Sequence, residues 1–384
     1  MIRPRVLSLL LFSFLVMNCA AQLPPAGRTI DLAASDGATL KATYFAAAKP
    51  GPGVLLLHQC NRQRKVWDQL AQQLAGAGIN VLTLDLRGFG ESSGTPMGEL
   101  EKWPGDIDAA FQYLVSQPGV KRDVIGVGGA SCGVNNSIQT ARRHPGEVKS
   151  LVLLSGGTDS AGRQFLRQAA ELPVLAALAD DDEFRATVDV LPWIFSASSN
   201  PGKKFVHYAT GGHGSDMFAV HPELRGVIVD WYVTTLIKTP GRAPVAKDGY
   251  PLPRGSQMLA LIDKPGGAAQ AAEKLAEARR RDPKVVLFPE VIVNLMGYEH
   301  VQSGDIKGAL EILKLNATAF PDSPNVYDSL SDAYLADGQK DLARQNARKA
   351  LELLASDTVD PEPRRNAIRD SAQQKLKQLG DGPQ

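Results

Sequence analysis

From about residue 28 to residue 238, short apolar runs alternate with amphipathic stretches. The runs at 54–57, 81–84, 124–127, 151–154, 174–178 and 205–208 are continuous and mostly rich in branched side chains. Strands covered on both faces have this pattern, because neither face meets water. Between them, 66–77 carries Trp67, Leu70 and Leu74 at three- and four-residue spacing, and 104–116 opens with a proline in its first turn, both helical signatures. Another helix is expected at 222–238. The opening differs: 29–33 and 39–45 flank the turn signal Ser35-Asp36-Gly37, which predicts an antiparallel hairpin ahead of the parallel strands. The expected fold class is α/β, a mostly parallel sheet covered by helices.

Periodicity lapses at Thr239-Pro240-Gly241-Arg242-Ala243-Pro244 and again through Tyr250-Pro251-Leu252-Pro253-Arg254-Gly255. This composition predicts a linker over 240–255, between an α/β domain at 25–239 and an all-α domain at 256–384. Within the second domain a shift of 34 residues superimposes Gly304 on Gly338, Asp305 on Gln339 and Ala309 on Ala343. Met296, Gly297, His300, Leu313 and Pro321, then Leu330, Ser331, Tyr334, Ala347 and Ala350, complete a pattern that resembles tetratricopeptide repeats. Small residues there let paired helices approach closely. Because two repeats are fewer than such stacks need, 267–281 is expected to supply a degenerate preceding repeat and 363–379 a polar cap. Such a module implies a protein partner on its concave face, or a structural cap on the first domain.

The first 21 residues combine a basic start (MIRPR), an apolar run over 6–17 and the small-residue stretch Cys19-Ala20-Ala21. They predict a signal peptide over 1–21, cleaved near Ala21; the apolar run is too short to span a bilayer. Lipidation of Cys19 is the alternative, although Asn18 stands where a small residue is usual. Either route predicts export, periplasmic or secreted, with membrane attachment only through the lipid. The formal charge of +1 falls to about −1 once Arg3 and Arg5 are removed, which gives no electrostatic basis for nucleic-acid binding. The mature chain retains Cys60 and Cys132, too few for a disulfide framework, and neither HExxH nor paired CxxC occurs. No metal site and no cofactor are expected.

The candidate chemistry centres on Gly129-Ala130-Ser131-Cys132-Gly133, a GxSxG pattern at the end of an apolar strand and the start of a helix. A serine on so sharp a turn needs small neighbours, and Gly129 and Gly133 supply them. The turn exposes Ser131 and leaves the Cys132 N–H at a helix N-terminus, placed to donate to an oxyanion. A dinucleotide loop competes, since Gly126-Val127-Gly128 begins like GxGxxG; it fails because Ser131 occupies the third glycine position and the strand is about the fifth. Two further segments, Leu55-Leu56-Leu57-His58-Gln59-Cys60 and Asp85-Leu86-Arg87-Gly88-Phe89-Gly90-Glu91-Ser92, resemble the oxyanion strand and the DxRGxGxS segment of the α/β-hydrolase fold. Over about 28–238 the chain thus resembles that superfamily, and within it the dienelactone hydrolase-like group. It departs from dienelactone hydrolase proper, whose nucleophile is cysteine, so the likeness implies architecture rather than substrate.

The resemblance implies a base after the last strand and an acid before it. His213, in Gly211-Gly212-His213-Gly214, is the expected base; the other five histidines fall at helix ends, in strands or at packing positions. The acid is expected within Asp180-Asp181-Asp182-Glu183, with Asp182 first and Asp181 second. Backbone N–H groups of Cys132 and of Gln59 or Cys60 would form the oxyanion hole. A serine hydrolase cleaving carboxylic esters is the expected function. Acyl transfer, peptidase activity and a non-catalytic binding role on the same fold remain open, as does a Cys60–Cys132 disulfide, since the two oxyanion segments must converge. The stretch 156–172 holds at most one helix, which predicts an openly covered site, with Trp103, Trp193, Met217 and Phe218 as possible lining.

Overall fold

The computed structural model describes residues 26–245 and 250–380; the expected signal segment and Cys19 lie outside the described residues. Eight strands form one sheet: β1 (Arg28–Ala33), β2 (Thr39–Phe45), β3 (Gly51–Leu57), β4 (Asn80–Leu84), β5 (Val120–Ala130), β6 (Val148–Leu154), β7 (Val174–Ala179) and β8 (Lys203–Tyr208). Their order is β1-β2-β4-β3-β5-β6-β7-β8. The β1 and β2 hairpin and the β2–β4 pair are antiparallel, and every later pair is parallel. Strands β3, β4 and β7 are buried throughout, which explains their unbroken apolar runs. β5 starts earlier than expected because Lys121, Arg122 and Asp123 extend it along an exposed stretch that hides the apolar signal.

Helices α1 (Asp68–Gly76), α2 (Trp103–Ser116), α3 (Cys132–Arg143), α4 (Ser160–Gln168), α5 (Thr187–Ala197), α6 (Met217–Val220) and α7 (Glu223–Tyr232) connect the strands and cover the sheet. After β3 the chain crosses to β4 on one side, and then returns to β5 on the other side of β3. The connections therefore leave β3 and β5 in opposite directions and open a crevice at the carboxyl ends of these strands. Leu57 pairs with Gly129, so the residues that follow each strand, from His58 and from Ala130, enter that crevice side by side.

The loop after β4 is pinned by buried charge. The Asp85 carboxylate, fully buried, accepts from the Arg64 N–H at 2.7 Å and the Glu91 N–H at 3.0 Å, and forms an ion pair with the Arg64 guanidinium. Arg87 grips Asp106 through two bonds of 2.8 and 2.7 Å and Asp36 through two of 3.0 Å. Hydrogen bonds from Arg87 and Lys102 hold the Asp36 carboxyl well below the usual carboxylate range. The DxRGxGxS segment is thus a bracket that fixes the loops around β3 and β4.

The rest of the described chain is helical: α8 (Arg254–Ile262), α9 (Gly267–Arg281), α10 (Glu290–Ser303), α11 (Ile306–Ala319), α12 (Pro324–Ala336), α13 (Lys340–Leu354) and α14 (Glu362–Gln378). Neighbouring helices from α10 to α14 pack on one another in sequence. Gly304 and Gly338, 34 positions apart, both turn the chain with positive φ, 81° and 76°, and Ala309 and Ala343 are fully buried. α8 begins inside the stretch whose composition suggested a linker. One apolar cluster runs from the sheet through Val190, Leu191 and Ile194 of α5 into Met258, Leu259 and Ile262 of α8 and on to Met296 of α10. The helical region is therefore packed against the α/β unit through a shared core. α5 escaped sequence reading because its residues 190–195 are buried throughout, between sheet and α8, and such a helix has no amphipathic period.

Candidate active site

Ser131 sits between β5 and α3 with φ 53° and ψ −118°, a conformation that costs a non-glycine residue strain. It is held there by its N–H donating to the Leu154 carbonyl at 2.9 Å and its carbonyl accepting from Val134 N–H at 2.8 Å. Ser131 is part-exposed. Gly133 explains the second glycine: a Cβ there would lie 2.4 Å from the Leu57 carbonyl oxygen and 3.0 Å from that of His58. Only glycine lets the start of α3 sit this close to the end of β3. Cys132 opens α3, where an N–H has no carbonyl one turn back to bond.

The two segments expected to converge are covalently joined. Cys60 and Cys132 form a disulfide across 72 positions of sequence, with Cα atoms 5.9 Å apart. The bridge ties the loop after β3 to the residue following Ser131. Its loss frees a long loop in the unfolded chain, so Cys60→Ser/Cys132→Ser is expected to lower stability by about 2–4 kcal/mol in urea titration. Two free thiols in the denatured, unreduced wild-type protein would contradict the bridge.

His58 is fully buried under the same loop. Leu86 N–H donates to its Nε2 at 3.0 Å, so Nδ1 carries the hydrogen and donates to the Gln59 carbonyl at 2.8 Å. Burial pushes its pKa below the ordinary 6.5. A histidine whose folded pKa is depressed supports folding fully above its unfolded pKa, and that support is lost as pH falls below it. Wild-type stability should therefore decline from pH 7 towards pH 5, with a shallower decline in His58→Gln; parallel curves would remove His58 from this role.

Gln59 links this loop to the histidine loop. Its Oε1 accepts from the Ser215 N–H at 2.7 Å and the Ser215 hydroxyl at 2.9 Å, and its Nε2 donates to the His213 carbonyl at 3.3 Å. Gly214, with φ 57°, makes room, since a Cβ there would fall 2.4 Å from Gln59 Oε1 and 3.2 Å from the Ala130 Cβ. Arg62 adds a two-pronged contact to Asp216 at 3.1 and 2.7 Å. The loop following β8 is thereby drawn back beside Ala130, the neighbour of Ser131.

His213 is 2 % exposed and Asp182 is fully buried. The His213 Nδ1 lies 2.8 Å from Asp182 Oδ2 and 3.0 Å from Oδ1, while its Nε2 is buried with no hydrogen-bond partner. Asp182 Oδ1 also accepts from the Phe184 N–H at 2.8 Å, which orients the carboxylate. The neighbouring carboxylates have other partners: Asp181 accepts from the Gly212 N–H at 2.8 Å, and Asp180 lies 2.7 Å from His207 Nε2. Sequence reasoning missed Phe184, whose half-exposed ring lies 4.5 Å from the His213 ring, and the latch role of the Gln59 side chain. A glutamine two residues past an otherwise apolar strand was the available signal. Of the possible lining residues, Met217 is buried in the core, Phe218 packs on Trp67 and Trp103 on Phe89. Trp193 lies 4.5 Å under the Arg163 guanidinium, in the wall of a pocket between the α/β unit and α10.

Residues 48–188 match the family model described as serine aminopeptidase, S33. An uncharacterised protein of Mycobacterium tuberculosis is 32 % identical over 144 residues, 37 % of this chain and 50 % of that protein. A thiohydrolase of Aspergillus aculeatus is 32 % identical over 111 residues, 28 % of this chain and 34 % of that protein. The chain thus spans half or less of the length of these curated relatives. Among solved structures, a dienelactone hydrolase of Anabaena variabilis, 16 % identical, superimposes with a TM-score of 0.47 over 56 % of this chain and 99 % of that one. A Pyrococcus furiosus esterase, 17 % identical, does so with 0.45 over 55 % and 91 %. With its strand order, its strained serine turn after β5, and its acid and histidine after β7 and β8, the N-terminal unit has the α/β-hydrolase fold.

Proposed function

We propose that the protein is a serine hydrolase that cleaves carboxylic esters or related acyl bonds through Ser131, His213 and Asp182. The observation that carries this reading is the state of His213: one ring nitrogen is engaged by a buried carboxylate, the other is buried and unpartnered, and the next residue, Gly214, comes close enough to Ala130, the neighbour of Ser131, that a Cβ on it would lie 3.2 Å from the Ala130 Cβ. A buried polar atom without a partner is costly, and a reacting hydroxyl is the partner this site would offer it.

In the proposed cycle Asp182 holds the Nδ1–H tautomer, so Nε2 has a lone pair to take the Ser131 proton. Ser131 Oγ attacks the carbonyl carbon, and the resulting oxyanion is met by backbone N–H groups of Cys132 and of Gln59 or Cys60. His213 then passes its proton to the leaving alcohol as the acyl-enzyme forms. Water, deprotonated by His213, releases the acid and restores Ser131. The disulfide would keep the two N–H donors in register through both steps. The family description names a serine aminopeptidase and one relative is named a thiohydrolase; both are hydrolases, in line with hydrolysis as the reaction class proposed here.

We also read α10 to α13 as tetratricopeptide-like, because Gly304 and Gly338 turn alike and Ala309 and Ala343 pack alike at the 34-residue spacing. Export to an oxidising compartment would suit the Cys60–Cys132 bridge. The test of the hydrolase reading is turnover of nitrophenyl esters from acetate to decanoate by the full-length oxidised protein, with and without an added alcohol acceptor. Release of free acid is the expected product; transfer to the acceptor as the main product would replace hydrolysis with acyl transfer, and no turnover of any ester would overturn the reading.

A further inference from the structure

Beyond the reacting groups lies a pocket of about 350 Å³ between the α/β unit and α10, lined in part by Asn135, Gly157, Trp193, Ile292, Leu295 and Met296. Its walls come from both parts of the chain. Resting on Ser131 as the nucleophile, we propose that this pocket is the subsite for an uncharged apolar chain of the substrate, and that α10 of the helical region sets the chain length the enzyme prefers.

Position supports this first. Asn135 lies one turn along α3 from Ser131, a rise of roughly 6 Å. The segment after β6 spans the gap: a Cβ on Gly156 would lie 2.5 Å from the Ser131 carbonyl oxygen, and Thr158 donates to Asn135 Oδ1 at 2.8 Å. The nucleophile and the pocket thus share the wall made by 156–158, and on this proposal a short acyl group bound at Ser131 stops before the pocket whereas a longer one enters it.

Chemistry supports it second. The lining is largely aliphatic and aromatic, and its one cation is already neutralised. Arg163, 3 % exposed, is paired with Glu299 at 2.7 Å and Asp263 at 3.0 Å, and donates to the Thr158 carbonyl at 3.1 Å. Arg167 balances the remaining acid charge on Asp263. Arg163 and Arg167 are set against Glu299 and Asp263, and the further lining carboxylate, Asp159, is engaged by the Gly162 N–H and the Gln139 amide, both at 2.8 Å; the one net negative charge that remains repels an anionic tail, and an apolar chain is the occupant that loses least on leaving water. The volume falls within the range of small-molecule sites. The same ion pairs, and the Ser160 N–H donating to Glu299 at 2.9 Å, clamp α10 to α4 and keep the wall in place. The single helix between β6 and β7 led to the expectation of an open cover; the cover on this side comes instead from the C-terminal helices.

The test compares kcat/KM for nitrophenyl octanoate and acetate in the full-length oxidised protein. Each methylene that enters the pocket is expected to raise the wild-type value about four-fold. Leu295 is 57 % exposed, so Leu295→Trp fills the pocket from its rim without disturbing the core. It is expected to lower the octanoate-to-acetate ratio at least ten-fold, while Val286→Trp, on an exposed site outside the pocket, leaves the ratio at the wild-type value. An unchanged ratio in Leu295→Trp, with esters still turned over, overturns the subsite and spares the hydrolase reading. Binding of 2-decanone, a neutral ketone that is not hydrolysed, separates the two in the other direction. If no ester is turned over but wild type binds the ketone and Leu295→Trp does not, the apolar site stands and the catalytic reading falls. If the ketone is not bound either, both fall.

Discussion

Ser131→Ala is expected to lower kcat on nitrophenyl esters by about a million-fold, leaving only the rate enhancement that binding and oxyanion contacts supply without a nucleophile. The size of the effect follows from covalent chemistry: without Oγ no acyl-enzyme forms, and His213 has no proton to take. Folding should be preserved, because alanine at φ 53° bears the same backbone strain as serine. Ser131→Gly makes a sharper control. It removes the same oxygen and also the strain, so it should be equally inactive yet more stable by about 1 kcal/mol or more. Activity within ten-fold of wild type in either variant would remove Ser131 from the reaction.

Asp182→Asn is the second large effect, expected at about ten-thousand-fold in kcat. Both Asp182 oxygens face Nδ1 of His213, at 2.8 and 3.0 Å, and Oδ1 is also fixed by the Phe184 N–H. An asparagine amide turned towards His213 presents a donor, which favours the tautomer with the hydrogen on Nε2. That nitrogen then has no lone pair for the Ser131 proton. The geometry of the site survives and its base does not. Asp181→Asn should fall within ten-fold of wild type, because Asp181 accepts from the Gly212 N–H, whereas the His213 ring is held by Asp182. Equal losses in the two variants would mean that the acidic run acts as a block and not through Asp182.

Much of this site could be read along the chain because its local geometry is demanding. A serine with positive φ, pressed against the end of β3, requires glycines on both sides, and GxSxG records that requirement. Which carboxylate serves His213 could only be ranked, Asp182 ahead of Asp181, since Asp180, Asp181 and Asp182 are alike as residues and differ only in where the turn points them. In the fold they divide their tasks among His207, Gly212 and His213. Long-range features were least accessible. The Gln59 latch to Ser215 and the Arg163–Glu299 clamp join residues more than a hundred positions apart, and nothing in the local pattern of either partner marks the other. α5 was hidden for another reason: burial on both sides erased the period by which a helix is recognised.

That Ser131 is a nucleophile activated by His213 is tested most directly by covalent labelling. A fluorophosphonate reacts with a serine in proportion to its activation, independently of which ester is the natural substrate. Full-length oxidised protein should take up one equivalent, mapped by peptide mass spectrometry to the segment containing Ser131. The adduct should be absent from Ser131→Ala and should form about a hundred-fold more slowly or worse in His213→Ala. Labelling that persists in Ser131→Ala, or proceeds at the wild-type rate in His213→Ala, would contradict the account.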